Sequence, residues 1–350
     1  MDHSATAFGG PRPAATGGAR RPLPRAPLAV PTLGFGAAAI GNLYTAVTDE
    51  AAGAAVEQAY RLGMRLFDTA PYYGYGLSEQ RLGHALASLH AEDAVISTKV
   101  GRLIVPGTQG EQSDDGFAVS GRRAVFDYSR SGIMRSFESS LRRLRRGHVD
   151  ILLLHDVGRE THGERHEKML RLALEEALPA MAQLKASGAC RAIGIGVNEQ
   201  QACLDVMSRF DLDCILLAGR YTLLEQEAAA AVLAEAARRG VGILAGGPFN
   251  SGLLAGREAP GATYNYRPAD GKALQRARDI YAICAAEGVD VGAAALQFPL
   301  AHPAVVSVIA GMRSPAEVAS AIARSREPIP AALWRKLREA DLLTVGAPTP

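Results

Sequence analysis

The chain has 350 residues, of which 48% are hydrophobic and 21% charged, and its formal net charge is +2. A charge so close to zero gives no electrostatic basis for binding nucleic acid or a membrane surface. No apolar stretch reaches the roughly 20 residues that a membrane-spanning helix needs. The cysteines form no C-x-x-C pair, which indicates buried thiols in a reducing cytoplasm. They are Cys190, Cys203, Cys214 and Cys284.

The first 30 residues differ in composition from the rest of the chain. They are rich in Pro, Gly, Ala and Arg and lack the apolar centre of a signal peptide. We therefore expect residues 1–30 to form a flexible tail and residues 31–345 to form one folded domain.

From residue 31 onward, eight short apolar runs alternate with eight segments of helical periodicity. The runs are almost continuously apolar, as expected of parallel strands that are buried on both faces. In chain order they are "PTLGFG", "MRLFD", "AVISTK", "DILLLH", "RAIGIGV", "CILLAG", "GVGILAG" and "VVSVIAG". Eight strand–helix units predict an α/β fold of the (β/α)8 TIM barrel type, with a doubly wound sheet as the alternative.

Two connections are longer than ordinary strand-to-helix loops. One runs from about Arg102 to Arg130 after the third strand, and the other from about Pro248 to Asp270 after the seventh. Long loops on the C-terminal face of a barrel are commonly functional. We expect these two to supply a pocket wall and a lid.

Four side chains that can carry chemistry fall at or just after the ends of neighbouring strands: Asp68, Tyr73, Lys99 and His155. The C-terminal ends of barrel strands converge on one mouth, so all four can meet there. Each alone also suits an ordinary role, as a turn cap, a rim residue, a solvated strand end or a core imidazole. Together they favour proton transfer, because an ammonium beside a phenol lowers its pKa of about 10.

The stretch "FDTAPYYGYGLSE" resembles the signature of the aldo-keto reductases, and the resemblance extends from about Thr32 to about Ser325. It implies a (β/α)8 barrel that binds NAD or NADP without a Rossmann domain. It also implies hydride transfer between that cofactor and a carbonyl or carbinol carbon of a small sugar or aldehyde. The family's catalytic tetrad falls on Asp68, Tyr73, Lys99 and His155.

The same resemblance assigns the nicotinamide and pyrophosphate contacts. "GIGVNE" puts Asn198 against the nicotinamide carboxamide, and a helix N-cap is its alternative role. Gly246 stands where many members stack an aromatic ring on the nicotinamide, and Ala218 stands where a glutamine is usual. The stretch "GGPFNSGLLAG" implies pyrophosphate contacts from Pro248, Phe249, Ser251, Gly252 and Leu253.

"IAGMRSPAEV" resembles the adenosine-end motif of the family, with Gly311, Arg313 and Glu317 as contacts. Glu317 replaces a basic residue of members that select the 2′-phosphate, and a carboxylate repels a phosphate. Arg313 can still meet a phosphate. The resemblance therefore favours NAD slightly over NADP. A capping box formed by Ser314 and Glu317 is the alternative, purely structural role of these residues.

Two other motifs point to different chemistry. "GFGAAAIG" lacks the full glycine spacing and the ribose-binding acid of a Rossmann fingerprint. His162 and His166 lie one helical turn apart, as in some metal sites, but their polar surroundings favour a solvated helix start. We predict no metal.

Within the family, the motifs "HDVG", "GVNE", "LAGRYTLL", "PFNSGLL" and "YNYRPA" most resemble bacterial aldose 1-dehydrogenases that act on L-fucose and D-threo sugars. That resemblance implies oxidation of an anomeric hydroxyl to a lactone, with Tyr73 as general base. The same motifs also resemble those of pyridoxal 4-dehydrogenases. The alternatives are a pyridoxal 4-dehydrogenase, an NADPH-dependent aldehyde reductase and, in another class, a cofactor-sensing regulatory subunit.

Overall fold

Eight parallel strands close into a barrel, which confirms the predicted fold class. The computed structural model describes residues 18–108, 115–256, 263–264, 267–268 and 271–350. Each barrel strand pairs with the next along the chain, and the last pairs with the first. The strands are β1 Leu33–Gly36, β2 Leu66–Asp68, β3 Val95–Val100, β4 Ile151–His155, β5 Ala192–Val197, β6 Cys214–Ala218, β7 Gly242–Gly246 and β8 Val305–Gly311.

Helices follow the strands and cover the outside of the barrel. The first shows why: its buried residues Ala52, Ala55, Val56 and Ala59 recur at helical spacing, and the Thr48 side chain accepts the Ala51 N–H at its start. The helices are α1 Asp49–Arg61, α2 Leu77–Ser88, α3 Arg130–Leu144, α4 Arg159–His162, α5 His166–Leu172, α6 Leu178–Ala186, α7 Gln200–Met207, α8 Ala230–Arg239, α9 Gly271–Ala286, α10 Val291–Gln297, α11 Pro315–Arg326 and α12 Ala331–Glu339.

An antiparallel hairpin of Arg20–Pro22 and Ala29–Pro31 precedes the barrel. The expectation of a flexible tail is therefore wrong for residues 20–30, whereas residues 1–17 lie outside the described residues. Leu23, Leu28 and Val30 are buried against the side chains that fill the barrel interior. Gly242 leaves room for this contact, since a Cβ there would lie 2.5 Å from the Leu23 side chain.

The two long loops lie on the C-terminal face. The first contains an antiparallel hairpin, Arg102–Pro106 with Arg122–Phe126, and its residues 109–114 lie outside the described residues. The second contains a short pairing of Thr263–Tyr264 with Arg267–Pro268. Much of the rest of it, including part of "YNYRPA", is outside the described residues, so its role as a lid stays a prediction. No helix in the described ranges is both long and apolar enough to cross a bilayer.

All four cysteines are buried and unpaired, which confirms the prediction of buried thiols. Burial raises the pKa of Cys190 to about 12, so this thiol stays protonated near neutral pH. These residues act as small apolar groups in the core.

Candidate active site

A cavity of about 330 Å³ opens where β2 to β6 end, and the side chains of Tyr73, Lys99 and His155 line it. The loop after β3 forms one wall through Arg102 and Phe117, as the sequence predicted for this loop. The Tyr44 N–H donates to the Gly116 carbonyl (2.8 Å), which ties the loop after β1 to this wall. Three of the four predicted side chains therefore share one opening, and the fourth lies behind them.

Asp68 and Lys99 form a buried ion pair at the base of the cavity. The Lys99 Nζ donates to Asp68 Oδ2 (2.8 Å) and to the Thr69 carbonyl (2.9 Å). The Ser97 hydroxyl donates to Asp68 Oδ1 (2.8 Å). Burial favours the neutral amine, but attraction to Asp68 and Tyr73 outweighs it and raises the pKa of Lys99. Lys99 is therefore a fixed cation below the cavity.

The Tyr73 side chain lies directly above this cation. Its hydroxyl shares a hydrogen bond with Lys99, and the Lys99 Nζ is 4.7 Å from the centroid of its ring. Burial raises the pKa of Tyr73, and the positive charge of Lys99 opposes that rise without reversing it. Lys99 does act to lower the pKa of Tyr73, as the sequence predicted, but desolvation raises that pKa by more.

His155 completes the group, with its ring centroid 6.0 Å from that of Tyr73 and nearly perpendicular to it, at 87°. Burial lowers the pKa of His155 to about 3, despite the opposing attraction of Asp156. The imidazole is therefore neutral near pH 7. A neutral imidazole can donate one hydrogen bond to a substrate oxygen without carrying a charge into the cavity.

The turn that presents Tyr73 depends on close backbone packing. Gly74 has a positive φ of 63°, and a Cβ there would lie 2.3 Å from the Gly41 carbonyl oxygen. The Ser78 hydroxyl donates to the Ala37 carbonyl (2.7 Å), which anchors the start of α2. These contacts explain why glycine and serine accompany the tyrosine in this motif.

Glu79 is the last residue of the motif, and its contacts explain why a carboxylate stands there. It is fully buried in the first turns of α2, where its carboxylate accepts from the Thr98 hydroxyl and from Arg143 Nε, both at 2.6 Å. Thr98 precedes Lys99 on β3. Glu79 therefore links α2 and α3 to the strand that carries the buried lysine.

Sequence reasoning did not identify four further residues of the cavity wall, which are Tyr72, Arg102, Phe117 and Asp156. The Arg102 side chain forms an ion pair with Asp156 and stacks on the Tyr72 ring, with 3.8 Å from its guanidinium carbon to the ring centroid. The signals available were the position of Asp156 directly after His155 and that of Arg102 at the start of a long loop. Neither signal predicts the pairing of two residues 54 positions apart.

Asn198 also lines the cavity, and Glu199 takes the N-cap position of α7. The N-cap alternative for Asn198 is therefore wrong. Ala218 lines the cavity as well, and it pairs with Gly246 on the neighbouring strand β7. A Cβ on Gly246 would lie 3.2 Å from the Leu216 side chain, so the neighbouring strand already fills part of this space.

The segment after β7 forms a tight turn, Asn250–Gly252, in which Ser251 has a positive φ of 57° and Gly252 one of 101°. Ser251 and Gly252 are exposed, Pro248 and Leu253 are buried, and Phe249 is partly buried. Asn250 is buried, yet neither atom of its amide has a partner within the described part of the chain. An unpaired buried amide beside an exposed turn fits a segment that binds a polar cofactor group.

Gly311 ends β8, and Ser314 caps α11 by accepting the Glu317 N–H (3.2 Å). Glu317 Oε2 accepts the Arg313 N–H (2.8 Å), and its other oxygen lies 3.7 Å from Arg313 Nε. The Ser314 half of the predicted capping box is thus present, whereas the Glu317 carboxylate accepts from the N–H of Arg313 and not from that of Ser314. The two charged residues expected at the adenosine end lie against each other.

The solvated interpretation of the histidine pair is wrong, because His162 and His166 are both buried. The His162 ring packs 4.5 Å from that of Phe126, and its Nε2 lies 3.2 Å from the Tyr128 hydroxyl. Across the described residues, no three His, Cys, Asp or Glu side chains are grouped so that they could hold a metal ion.

Comparison with known proteins places this geometry in context. A sequence profile described as "Aldo/keto reductase family" matches residues 32–342. The chain is 42% identical to D-threo-aldose 1-dehydrogenase from Pseudomonas sp, over 92% of this chain and 96% of that protein. It is 39% identical to pyridoxal 4-dehydrogenase from Microbacterium luteolum, over 93% and 98%. The structure of holo aldo-keto reductase AKR11C1 from Bacillus halodurans is similar at a TM-score of 0.73 and 25% identity, covering 94% of this chain and 97% of that one.

Proposed function

The chain belongs to the aldo/keto reductase family of NAD(P)-dependent oxidoreductases, and from that premise we propose that it is an aldose 1-dehydrogenase. It oxidises the anomeric hydroxyl of an aldose of the L-fucose or D-threo type to a lactone. Small carbonyl or alcohol compounds are typical substrates of the family. The complete tetrad of Asp68, Tyr73, Lys99 and His155 argues against the alternative of a purely regulatory subunit.

The observation that carries this proposal is the grouping of Tyr73, Lys99 and His155 around a cavity with a charged wall. The Arg102–Asp156 pair gives that wall hydrogen-bonding groups of both kinds. A wall of this kind suits a polyhydroxylated substrate better than an apolar aldehyde, because sugar hydroxyls satisfy polar groups that would otherwise lose water. The D-threo-aldose 1-dehydrogenase relative supports the same substrate class.

Each member of the tetrad has a distinct role in this scheme. Tyr73 takes the proton of the anomeric hydroxyl as general base, and returns it as general acid in the reverse direction. Lys99 stabilises the phenolate that this requires, and Asp68 holds Lys99 in place. His155 donates a hydrogen bond to the reacting oxygen and so orients it. When bound, the oxidised cofactor supplies the acceptor for the hydride.

The cofactor is held by residues on the same face. Asn198 contacts the nicotinamide carboxamide, and Pro248, Phe249, Ser251, Gly252 and Leu253 wrap the pyrophosphate. Gly246 has no aromatic ring to stack on the nicotinamide, and the Leu216 side chain offers an apolar surface for it instead. Gly311, Arg313 and Glu317 contact the adenosine end. We favour NAD over NADP, because the Glu317 carboxylate lies beside Arg313 and would repel a 2′-phosphate.

A pyridoxal 4-dehydrogenase is the second candidate. The rings of Tyr72 and Phe117 pack edge to face on the cavity wall, with centroids 5.3 Å apart, and offer an aromatic surface on which a planar pyridine ring can pack. The relative from Microbacterium luteolum supports this alternative. The buried, unpaired cysteines suit a reducing compartment, so we place either reaction in the cytoplasm.

The decisive experiment is a steady-state screen of L-fucose, other aldoses and pyridoxal against NAD⁺ and NADP⁺, with a reactive aldehyde and NADPH as a further arm. We expect the highest kcat/KM for L-fucose with NAD⁺. A preference for pyridoxal would favour the second candidate. Reduction of the aldehyde with NADPH, without oxidation of any sugar, would overturn the proposal in favour of an aldehyde reductase.

A further inference from the structure

A buried ion pair in the cavity wall has no part in the proton-transfer scheme above. Arg102 and Asp156 have side chains that are only 12% and 18% exposed, and both line the cavity. Burying two charges brings little net stability, because the lost hydration offsets much of their attraction. A pair placed beside the reacting groups therefore calls for an explanation in terms of what enters the cavity.

The surrounding contacts hold Asp156 in one orientation. The Arg102 guanidinium lies between two rings, at 3.8 Å from the centroid of Tyr72 and 4.3 Å from that of Phe126. The Asp156 backbone has a positive φ of 55° and is fixed at both ends of the residue. Its N–H donates to the Gly196 carbonyl (2.9 Å), and its carbonyl accepts from the Tyr128 hydroxyl (3.0 Å).

The carboxylate retains capacity to bind a ligand. Burial opposes ionisation, but the positive charge and the hydrogen bond of Arg102 lower the pKa of Asp156, so it stays a charged acceptor. Within the described part of the chain, its hydrogen bond from Arg102 and its approach to His155 both involve Oδ2. Oδ1 is left to accept a hydrogen bond, and Arg102 Nε is a donor without a partner among the described residues.

The position of this carboxylate relative to His155 indicates which substrate atom it meets. Asp156 Oδ2 lies 3.4 Å from His155 Nε2, a separation too long for a strong hydrogen bond. A donor and an acceptor therefore stand side by side on the wall. The two oxygens of a vicinal diol are adjacent, so one can accept from His155 while the hydroxyl beside it donates to the free oxygen of the Asp156 carboxylate.

We propose that Asp156, held by Arg102, is a specificity-determining residue that accepts a hydrogen bond from the hydroxyl on the carbon next to the reacting carbon. This inference rests on the proposed function, in which the reacting carbon is the anomeric carbon of an aldose. The neighbouring group is then the 2-hydroxyl. The enzyme selects aldoses with a free 2-hydroxyl and discriminates against 2-deoxy sugars.

The test compares L-fucose with 2-deoxy-L-fucose as substrates with NAD⁺. The parent protein should favour L-fucose in kcat/KM by about tenfold or more, as expected for a hydrogen bond to a charged acceptor. Asp156→Asn should lose most of this preference, because its kcat/KM falls for L-fucose and changes little for the deoxy sugar. Asp127→Asn is the matched control, since Asp127 pairs with Arg135 outside the cavity wall, and it should keep the preference.

Two results would overturn the inference: a parent protein that does not distinguish the two sugars, or an Asp156→Asn variant that still does. Titration with NADH, followed by fluorescence, verifies that each variant binds cofactor and is therefore folded. If the parent oxidises neither sugar, the proposed function fails. The hydroxyl contact is then tested on glyceraldehyde and propionaldehyde with NADPH, where equal loss on both in Asp156→Asn would refute it.

Discussion

Replacing Lys99 with methionine separates the structural from the chemical role of the buried ion pair. Lys99 is 1% exposed and Asp68 3%, so among the described residues the change leaves the buried carboxylate with the Ser97 hydroxyl as its one remaining side-chain donor. Removing one partner of such a pair costs about 3–5 kcal/mol in the free energy of unfolding. Replacing both partners leaves no uncompensated charge, so Asp68→Asn combined with Lys99→Met should recover most of this loss.

Urea unfolding followed by the fluorescence of the single, buried Trp334 measures this difference. Turnover should behave differently from stability. Both variants lack the cation that stabilises the Tyr73 phenolate, so both should lose about 10²–10⁴-fold in kcat. A double variant no more stable than Lys99→Met would refute the argument from an uncompensated buried charge. A single variant with normal turnover would refute the role of Lys99 in proton transfer.

Three further outcomes are expected. Tyr73→Phe should keep its affinity for NADH in a fluorescence titration and lose about 10²–10⁴-fold in kcat; unchanged kcat would remove Tyr73 from the mechanism. The rate of sugar oxidation should rise with pH as Tyr73, whose pKa is raised, loses its proton, and a pH–rate profile should show no inflection near 6.5, because the pKa of His155 is about 3. Leu23→Ala should destabilise the protein by about 2–5 kcal/mol in urea unfolding, whereas a flexible tail would give no change.

The barrel could be predicted because each of its strands is buried on both faces and so forms a continuous apolar run. The hairpin that precedes the barrel, Arg20–Pro22 with Ala29–Pro31, could not be predicted from the sequence. Its buried residues, Leu23, Leu28 and Val30, are separated by Pro and Arg and show neither strand nor helix periodicity. They are buried because the open end of the barrel needs a cover, which is a property of the closed sheet and not of the local sequence.

The same distinction applies to the site. Asp68, Lys99 and His155 could be predicted because each ends a strand, and parallel strand ends converge. The pairing of Arg102 with Asp156 could not, because it depends on a left-handed turn after β4. The buried environment of His162 also depends on the long loop, whose hairpin brings Phe126 against its ring.

The most direct test of the central claim follows the hydrogen of the anomeric carbon. L-Fucose labelled with deuterium at C1 is incubated with the protein and NAD⁺, and the reduced cofactor is analysed by mass spectrometry, with Tyr73→Phe as the control. We expect deuterium in the NADH formed by the parent protein, lactone as the product, and little of either with the variant. Unlabelled cofactor, or equal transfer by Tyr73→Phe, would contradict the proposed reaction and its base.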